Sequence, residues 1–137
     1  MAGLSKSLKY LSEAELIAIN EEMVSKYGGL HGVRDLNFVR LAIGRPQMSA
    51  GLADAYKTVF DKAASMFHSI INNHPFFDGN KRTSLFSAVL FLEYNDYQLI
   101  FTRKEGVKFT LEARNQDWAV EQITNWLKLH RKKPRRA

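Results

Sequence analysis

His74-Pro75-Phe76-Phe77-Asp78-Gly79-Asn80-Lys81-Arg82 joins two helical patterns, and the way it joins them decides the fold. Before it, Val59, Phe60, Ala63, Met66, Phe67, Ile70 and Ile71 recur at offsets of three and four, the spacing of one helix face. After it, Leu85, Phe86, Ala88, Val89, Leu90 and Leu92 predict a second helix over about residues 80 to 93. Both segments are more apolar than a surface helix, so the pair is expected at the centre of an all-α bundle, with at most a short β-hairpin elsewhere.

The flanking sequence extends the same pattern. Ser12 with Glu15 three residues on is a capping box, and Leu16, Ile19, Met23 and Val24 follow it at helical spacing. Gly28-Gly29 stops that first helix. Asp35 is expected to cap a second, and Gly44-Arg45-Pro46 to end it, because the residue before a proline disfavours the helical region. Residues 48–53 read as a loop, with Asp54 opening the central helix. Asn95-Asp96 ends the helix after the motif, and the strand-like run 97–102 is expected to pair locally. A helical piece over 105–113 and a last helix capped by Asp117, carrying Trp118, Ile123, Trp126 and Leu127, complete the chain. This organisation predicts one compact domain over residues 1–130 and a basic, flexible tail over 131–137.

Composition narrows the class. The chain has 137 residues, 45% hydrophobic and 25% charged, which is ordinary for a globular domain of this size. It has no cysteine, so disulfide frameworks and thiolate metal sites are excluded. The absence of a signal-type apolar segment points to a cytoplasmic protein without a membrane partner. The net charge of +6 is concentrated in Lys128, Arg131, Lys132, Lys133, Arg135 and Arg136. Such an end can contact nucleic acid or an acidic protein; its plainer reading is a solvated, frayed terminus.

The chemistry lies in the motif. Lys81 and Arg82 stand in the first turn of a helix, where the macrodipole disfavours cations by roughly 0.3–1 kcal/mol each. A bound anion reverses that penalty, since free amides, dipole and cations all favour a phosphate. Arg82 adds a planar fork and Lys81 a point charge, while Gly79-Asn80 permits a close backbone approach. His74 titrates near neutrality and suits a general base. Its bland alternative is a structural histidine bonded to a carbonyl. Asp78 serves either as a helix cap or as a Mg²⁺ ligand completed by phosphate oxygens and water. Phe76 and Phe77 read as anchors. The connection is too long for a DNA-binding helix-turn-helix. A zinc site from His68, His74 and Asp78 matches no common spacing. His31 and His130 read as surface residues.

The same nine residues closely resemble the signature of the Fic/Doc family. Asn80-Lys81-Arg82-Thr83 is similar to the Doc, or death-on-curing, branch, and Tyr27 to Asp35 with Gly44-Arg45-Pro46-Gln47 is similar to the N-terminal part of its members. The likeness runs from about Leu11 to Leu127. It implies a small helical domain that uses ATP with Mg²⁺ to modify a protein hydroxyl. By position in the motif, His74 is then the general base, Asp78 the Mg²⁺ ligand, and Gly79, Asn80, Lys81 and Arg82 the nucleotide-phosphate cradle. The Doc branch implies transfer of the terminal phosphate to a translation factor, elongation factor Tu, by the toxin of a toxin–antitoxin pair. Its inhibitor is an antitoxin with a flexible tail, and nucleic acid enters only through the basic tail or the antitoxin complex.

Two positions bear on the reaction. The Fic branch, which transfers a nucleotidyl group (AMPylation), has glycine where Lys81 stands and a second arginine where Leu85 stands. Both differences favour phosphoryl transfer. The family's inhibitory helix pattern is absent, because Phe101 occupies the Ser/Thr position before Glu105-Gly106. A non-catalytic binding module is the competing class; it leaves His74 and Asp78 unexplained.

Overall fold

The computed structural model describes residues 7–133. Among them the order is α1 (Glu13–Tyr27), α2 (Leu36–Gly44), a 3₁₀ turn (Arg45–Gln47), β1 (Ser49–Ala50), β2 (Ala53–Asp54), α3 (Val59–Asn73), α4 (Asn80–Tyr94), α5 (Arg103–Asn115) and α6 (Val120–Leu129). β1 and β2 form one antiparallel pair, with Ser49 opposite Asp54 and Ala50 opposite Ala53. The expected all-α bundle with a minimal hairpin is the observed architecture.

α3 is the axis of the domain. It packs against α2, α4, α5 and α6, and its Ala63, Phe67, Ile70 and Ile71 are wholly buried. Each such Phe or Ile removed from water contributes roughly 1.5–3 kcal/mol before entropy is counted. Phe67 stacks on Phe109 of α5 with ring centroids 4.6 Å apart, and Phe109 stacks on Trp126 of α6 at 3.9 Å. α1 covers α4, and the Tyr94 hydroxyl of α4 donates to the Glu15 carboxylate of α1.

Three local expectations are corrected. Asp54 does not open α3; Thr58 caps it, accepting from the Asp61 N–H while the Asp61 carboxylate accepts from the Thr58 N–H. Asp54 instead lies in β2 and pairs at 3.2 Å with the ammonium of Lys62. Lys62 is only 1% exposed and donates to the Pro46 carbonyl at 3.0 Å, so a buried charge has claimed the carboxylate that sequence assigned to a helix end. Asp117 does not cap α6. It sits in a turn with φ of 51°, and Ala119 begins the helix, its N–H donating to the Gln122 side chain at 2.9 Å. The run 97–102 pairs with the C-terminal segment rather than with a neighbour in sequence: Leu99 bridges Arg131, the Ile100 N–H donates to the His130 carbonyl at 2.7 Å, and the Lys132 N–H donates to the Gln98 carbonyl at 2.8 Å. Arg131 and Lys132 are thereby tied down; Arg135 and Arg136 lie outside the described residues.

Candidate active site

The motif loop leaves α3 at His74, whose φ of 50° and ψ of 63° place it in the left-handed region as the helix C-cap. That conformation costs a non-glycine residue about 1–2 kcal/mol. It also turns the chain out of the helix immediately before Pro75, which a helical residue could not precede comfortably. Arg34 secures the exit. Its Nε donates to the His74 carbonyl at 2.7 Å and its Nη2 to the Asn73 carbonyl at 2.6 Å, satisfying acceptors that the helix end leaves open. The Arg34 and Asp35 amides both donate to the Pro75 carbonyl. Val33 bridges Phe76, and the Phe77 N–H donates to the Gly32 carbonyl at 3.2 Å.

Two asparagines close the loop. Asn80 is buried; its Oδ1 accepts from the Phe76 N–H at 3.1 Å and its Nδ2 donates to the Phe76 carbonyl at 2.9 Å. Asn20 of α1 donates through Nδ2 to the Asp78 carbonyl at 2.8 Å and to the Thr83 hydroxyl at 3.1 Å. The Asn80 side chain is therefore engaged inside the loop, and what it presents outward is backbone. Gly79, with φ of 78°, is the N-cap of α4, and no side chain caps that helix. The uncapped end leaves first-turn amides for an anion.

Asp78 is exposed and does not face those amides. Its Oδ2 accepts from the Leu30 N–H at 2.6 Å, which settles its side chain away from the helix-cap role. The Gly28-Gly29 turn makes this approach feasible. Gly29 has φ of 117°, and a Cβ there would lie 2.8 Å from Asp78 Cβ. We expect Gly29→Ala to cost about 1–2 kcal/mol through its backbone conformation alone and to push Asp78 aside. Thermal denaturation checks the first effect, and the NMR shift of the Leu30 amide, which loses its bond to Asp78, checks the second; an unchanged Tm and an unchanged Leu30 shift would refute this account.

Burial first, then the positive charges of Arg114, Lys81 and Arg34, hold the His74 imidazole below its ordinary value of 6.5; a hydrogen bond to the Asn72 backbone acts in the opposite sense. The histidine is thus unprotonated at physiological pH and free to accept a proton. Lys81 is exposed beside it. Arg82 is engaged elsewhere: its guanidinium lies over the Tyr27 ring, 4.1 Å from the centroid, and it lines, with Tyr27, Phe86, Phe101 and Gly106, a cavity of about 210 Å³. The structure therefore groups His74 with Lys81, hangs Asp78 from the Leu30 amide, and sets Arg82 against α1.

His68 lies outside this group. Arg45 Nη1 sits 2.8 Å from its Nδ1, which makes that nitrogen an acceptor, and burial and Arg45 lower its pKa while Asp117 opposes them. No cluster of three metal-binding side chains occurs among the described residues, so the spacing-based zinc alternative is not assembled there. His130 is half-buried, stacked on Trp126 at 3.7 Å and paired with Glu105 at 3.3 Å, rather than a plain surface residue.

Sequence reading assigned no role to Asn20, Gly29, Arg34 or Arg114. Asn20 did carry a signal, a polar residue on the stripe formed by Leu16, Met23 and Val24. Gly29 was visible only as a helix stop, and Arg34 only as part of a similar block. Arg114 gave no signal, because its charge reaches His74 through the packing of α5.

Comparison with known proteins identifies the family. A sequence model of the Fic/DOC family matches residues 10–92. The chain is 32% identical over 121 residues to the "Protein kinase doc" of Escherichia phage P1, covering 88% of this chain and 94% of that protein. It is 42% identical over 73 residues to the "Toxin Doc" of Mycolicibacterium smegmatis, covering 53% of this chain and 56% of that one. With a matched span that includes the whole His74–Arg82 loop, all of α3 and α4 up to Leu92, the chain belongs to the Fic/Doc family.

Proposed function

We propose that this chain is a Doc-like toxin that transfers the γ-phosphoryl group of ATP to a hydroxyl of a target protein. The observation that carries the proposal is a neutral, strained histidine beside an uncapped helix tip whose first turn bears Lys81. The relative from phage P1 is named a protein kinase, which supports the same reading. The γ-phosphate would lie against the α4 amides and Lys81, with Arg82 at the outer edge. The target hydroxyl gives its proton to His74 as its oxygen bonds to the γ-phosphorus. The bond from that phosphorus to the bridging oxygen breaks, and ADP leaves.

Asp78 fits Mg²⁺ as a single exposed carboxylate with one oxygen held by the Leu30 amide, the sparse protein contribution this cation accepts. When bound, Mg²⁺ would offset phosphate charge. A translation factor such as elongation factor Tu is the proposed target, and an antitoxin with a flexible tail the proposed inhibitor; the second relative is named a toxin, which is in keeping with an antitoxin partner.

The test is incubation of the purified protein with a bacterial lysate and ATP labelled at either the γ- or the α-phosphate. Label is expected in a protein from the γ position. Label entering only from the α position would overturn phosphoryl transfer in favour of nucleotidyl transfer. No label from either, in wild type and His74→Asn alike, would remove the enzyme reading.

The electrostatics yield a second expectation. Activity requires neutral His74 and falls as pH drops through its pKa, which lies below 6.5. The acid limb of kcat/KM, which reports the free enzyme, should therefore have its midpoint below 6.5. Arg114→Gln removes one of the charges that disfavour the imidazolium, so the limb should move up, as should the His74 pKa measured by NMR titration. A limb at or above the ordinary histidine value in the wild type, or a downward move in the variant, contradicts this account.

A further inference from the structure

At the pole opposite His74, two adjoining cavities of about 740 Å³ and 520 Å³ share Asp96, Tyr97 and Arg131 in their walls. α3 separates this pole from His74 by its whole length, roughly 20 Å at 1.5 Å per residue. Lys57 enters from the segment before α3, Lys128 from α6, and Arg131, Lys132 and Lys133 from the C-terminal segment. Glu93 and Asp96 are the carboxylates in the same walls, and Lys128 also acts on nearby Asp61. The cations are in excess.

Two of them stand on fixed backbone: the bridge between Leu99 and Arg131 and the bond from the Lys132 amide to Gln98 hold the segment that carries Arg131 and Lys132. The Arg131 guanidinium lies 4.8 Å from the Tyr97 ring centroid and 5.9 Å from that of Phe60. A cation pre-positioned over aromatic rings loses less entropy on binding than one on a free tail. Nothing in the phosphoryl-transfer chemistry uses this face.

We propose that this cleft binds single-stranded nucleic acid, gripping the phosphodiester backbone. The shape favours that ligand over its competitors. A flat anionic bilayer meets few of the charges in a concave wall, and a stiff duplex enters a cleft of this size poorly, whereas a flexible strand can follow it. The contacts are to phosphates, so RNA and DNA strands bind alike.

Fluorescence anisotropy with labelled 20-nucleotide RNA and DNA single strands, from 50 to 300 mM salt, tests the proposal on the full chain. Neutralising four or five phosphates predicts a log–log salt slope of about −3 to −3.5, with Kd near 10⁻⁵ M or tighter at the lowest salt. The triple variant K128E/K132E/K133E, which spares the ring-packed Arg131, should bind at least tenfold more weakly. The matched variant K26E/K104E/K108E, with the same change in net charge on other faces, should stay within about threefold of wild type. Circular dichroism confirms that both are folded. Equal losses in the two variants would show that net charge alone is responsible and would overturn the proposal. So would tighter binding of a duplex, or of phosphatidylglycerol vesicles, than of the single strand. His74→Asn should bind the strand as wild type does, so this result and that of the labelling experiment are independent.

Discussion

His74→Asn should lower phosphoryl transfer by a factor of about 10²–10⁴, the range a positioned general base contributes, while leaving the fold in place. Asparagine is chosen because residue 74 occupies the left-handed region with φ of 50°, which asparagine tolerates better than alanine. The Asn73 and His74 carbonyls that Arg34 binds are backbone groups and survive the change. A loss of activity accompanied by an unchanged Tm therefore reports chemistry rather than unfolding. Initial rates with γ-labelled ATP, alongside thermal denaturation, make the measurement. A variant within threefold of wild type would take the proton from His74 and require another acceptor.

The second large effect is on stability. Asn80→Ala should cost about 2–6 kcal/mol, because it orphans both the N–H and the carbonyl of Phe76, each worth about 1–3 kcal/mol when buried without a partner. Phe76 is only 1% exposed, so water does not readily replace the lost bonds. Against a typical total stability of about 5–15 kcal/mol, that loss unfolds a large share of a marginal domain. Urea denaturation monitored by tryptophan fluorescence gives the shift directly. Asn80→Asp should fall between wild type and Asn80→Ala, since it keeps an acceptor for the Phe76 amide but sets a carboxylate against the Phe76 carbonyl. A shift below about 0.5 kcal/mol for the alanine variant would mean that the loop is held elsewhere, with Asn20 the first candidate. Asn80 thus acts on the site chiefly by fixing the path of the backbone.

Much of the architecture was legible in the chain. Ser12 and Glu15 announced α1, and the structure shows both bonds of that capping box. Asp35 caps α2 by accepting from the Asn37 amide at 2.9 Å. The apolar stripes of α3 and α4 placed those helices at the centre. The misreadings had a shared cause. Asp54 and Asp117 are good cap residues by type, but which acid reaches a helix end depends on competitors. Buried Lys62 drew Asp54 into an ion pair, and the turn with φ of 51° at Asp117 shifted the start of α6 to Ala119. The partner of the 97–102 segment was illegible because it lies about thirty residues away in sequence, at Arg131.

The candidate site divides in the same way. One contiguous stretch carries the histidine, the carboxylate and the cations, so their proximity and the family they mark could be read from sequence alone, as could the helical class, because caps and apolar periodicity act over three or four residues. Only the tertiary structure decided what each side chain does there: that Asn80 turns inward to Phe76, that Arg82 lies on Tyr27, that Asp78 hangs from Leu30, and that Arg34, from the segment before α2, and Arg114, from α5, tune His74. Those outcomes depend on which distant surfaces the packed core brings within a few ångströms, and hydrogen bonds and charges at that range have no trace in local sequence.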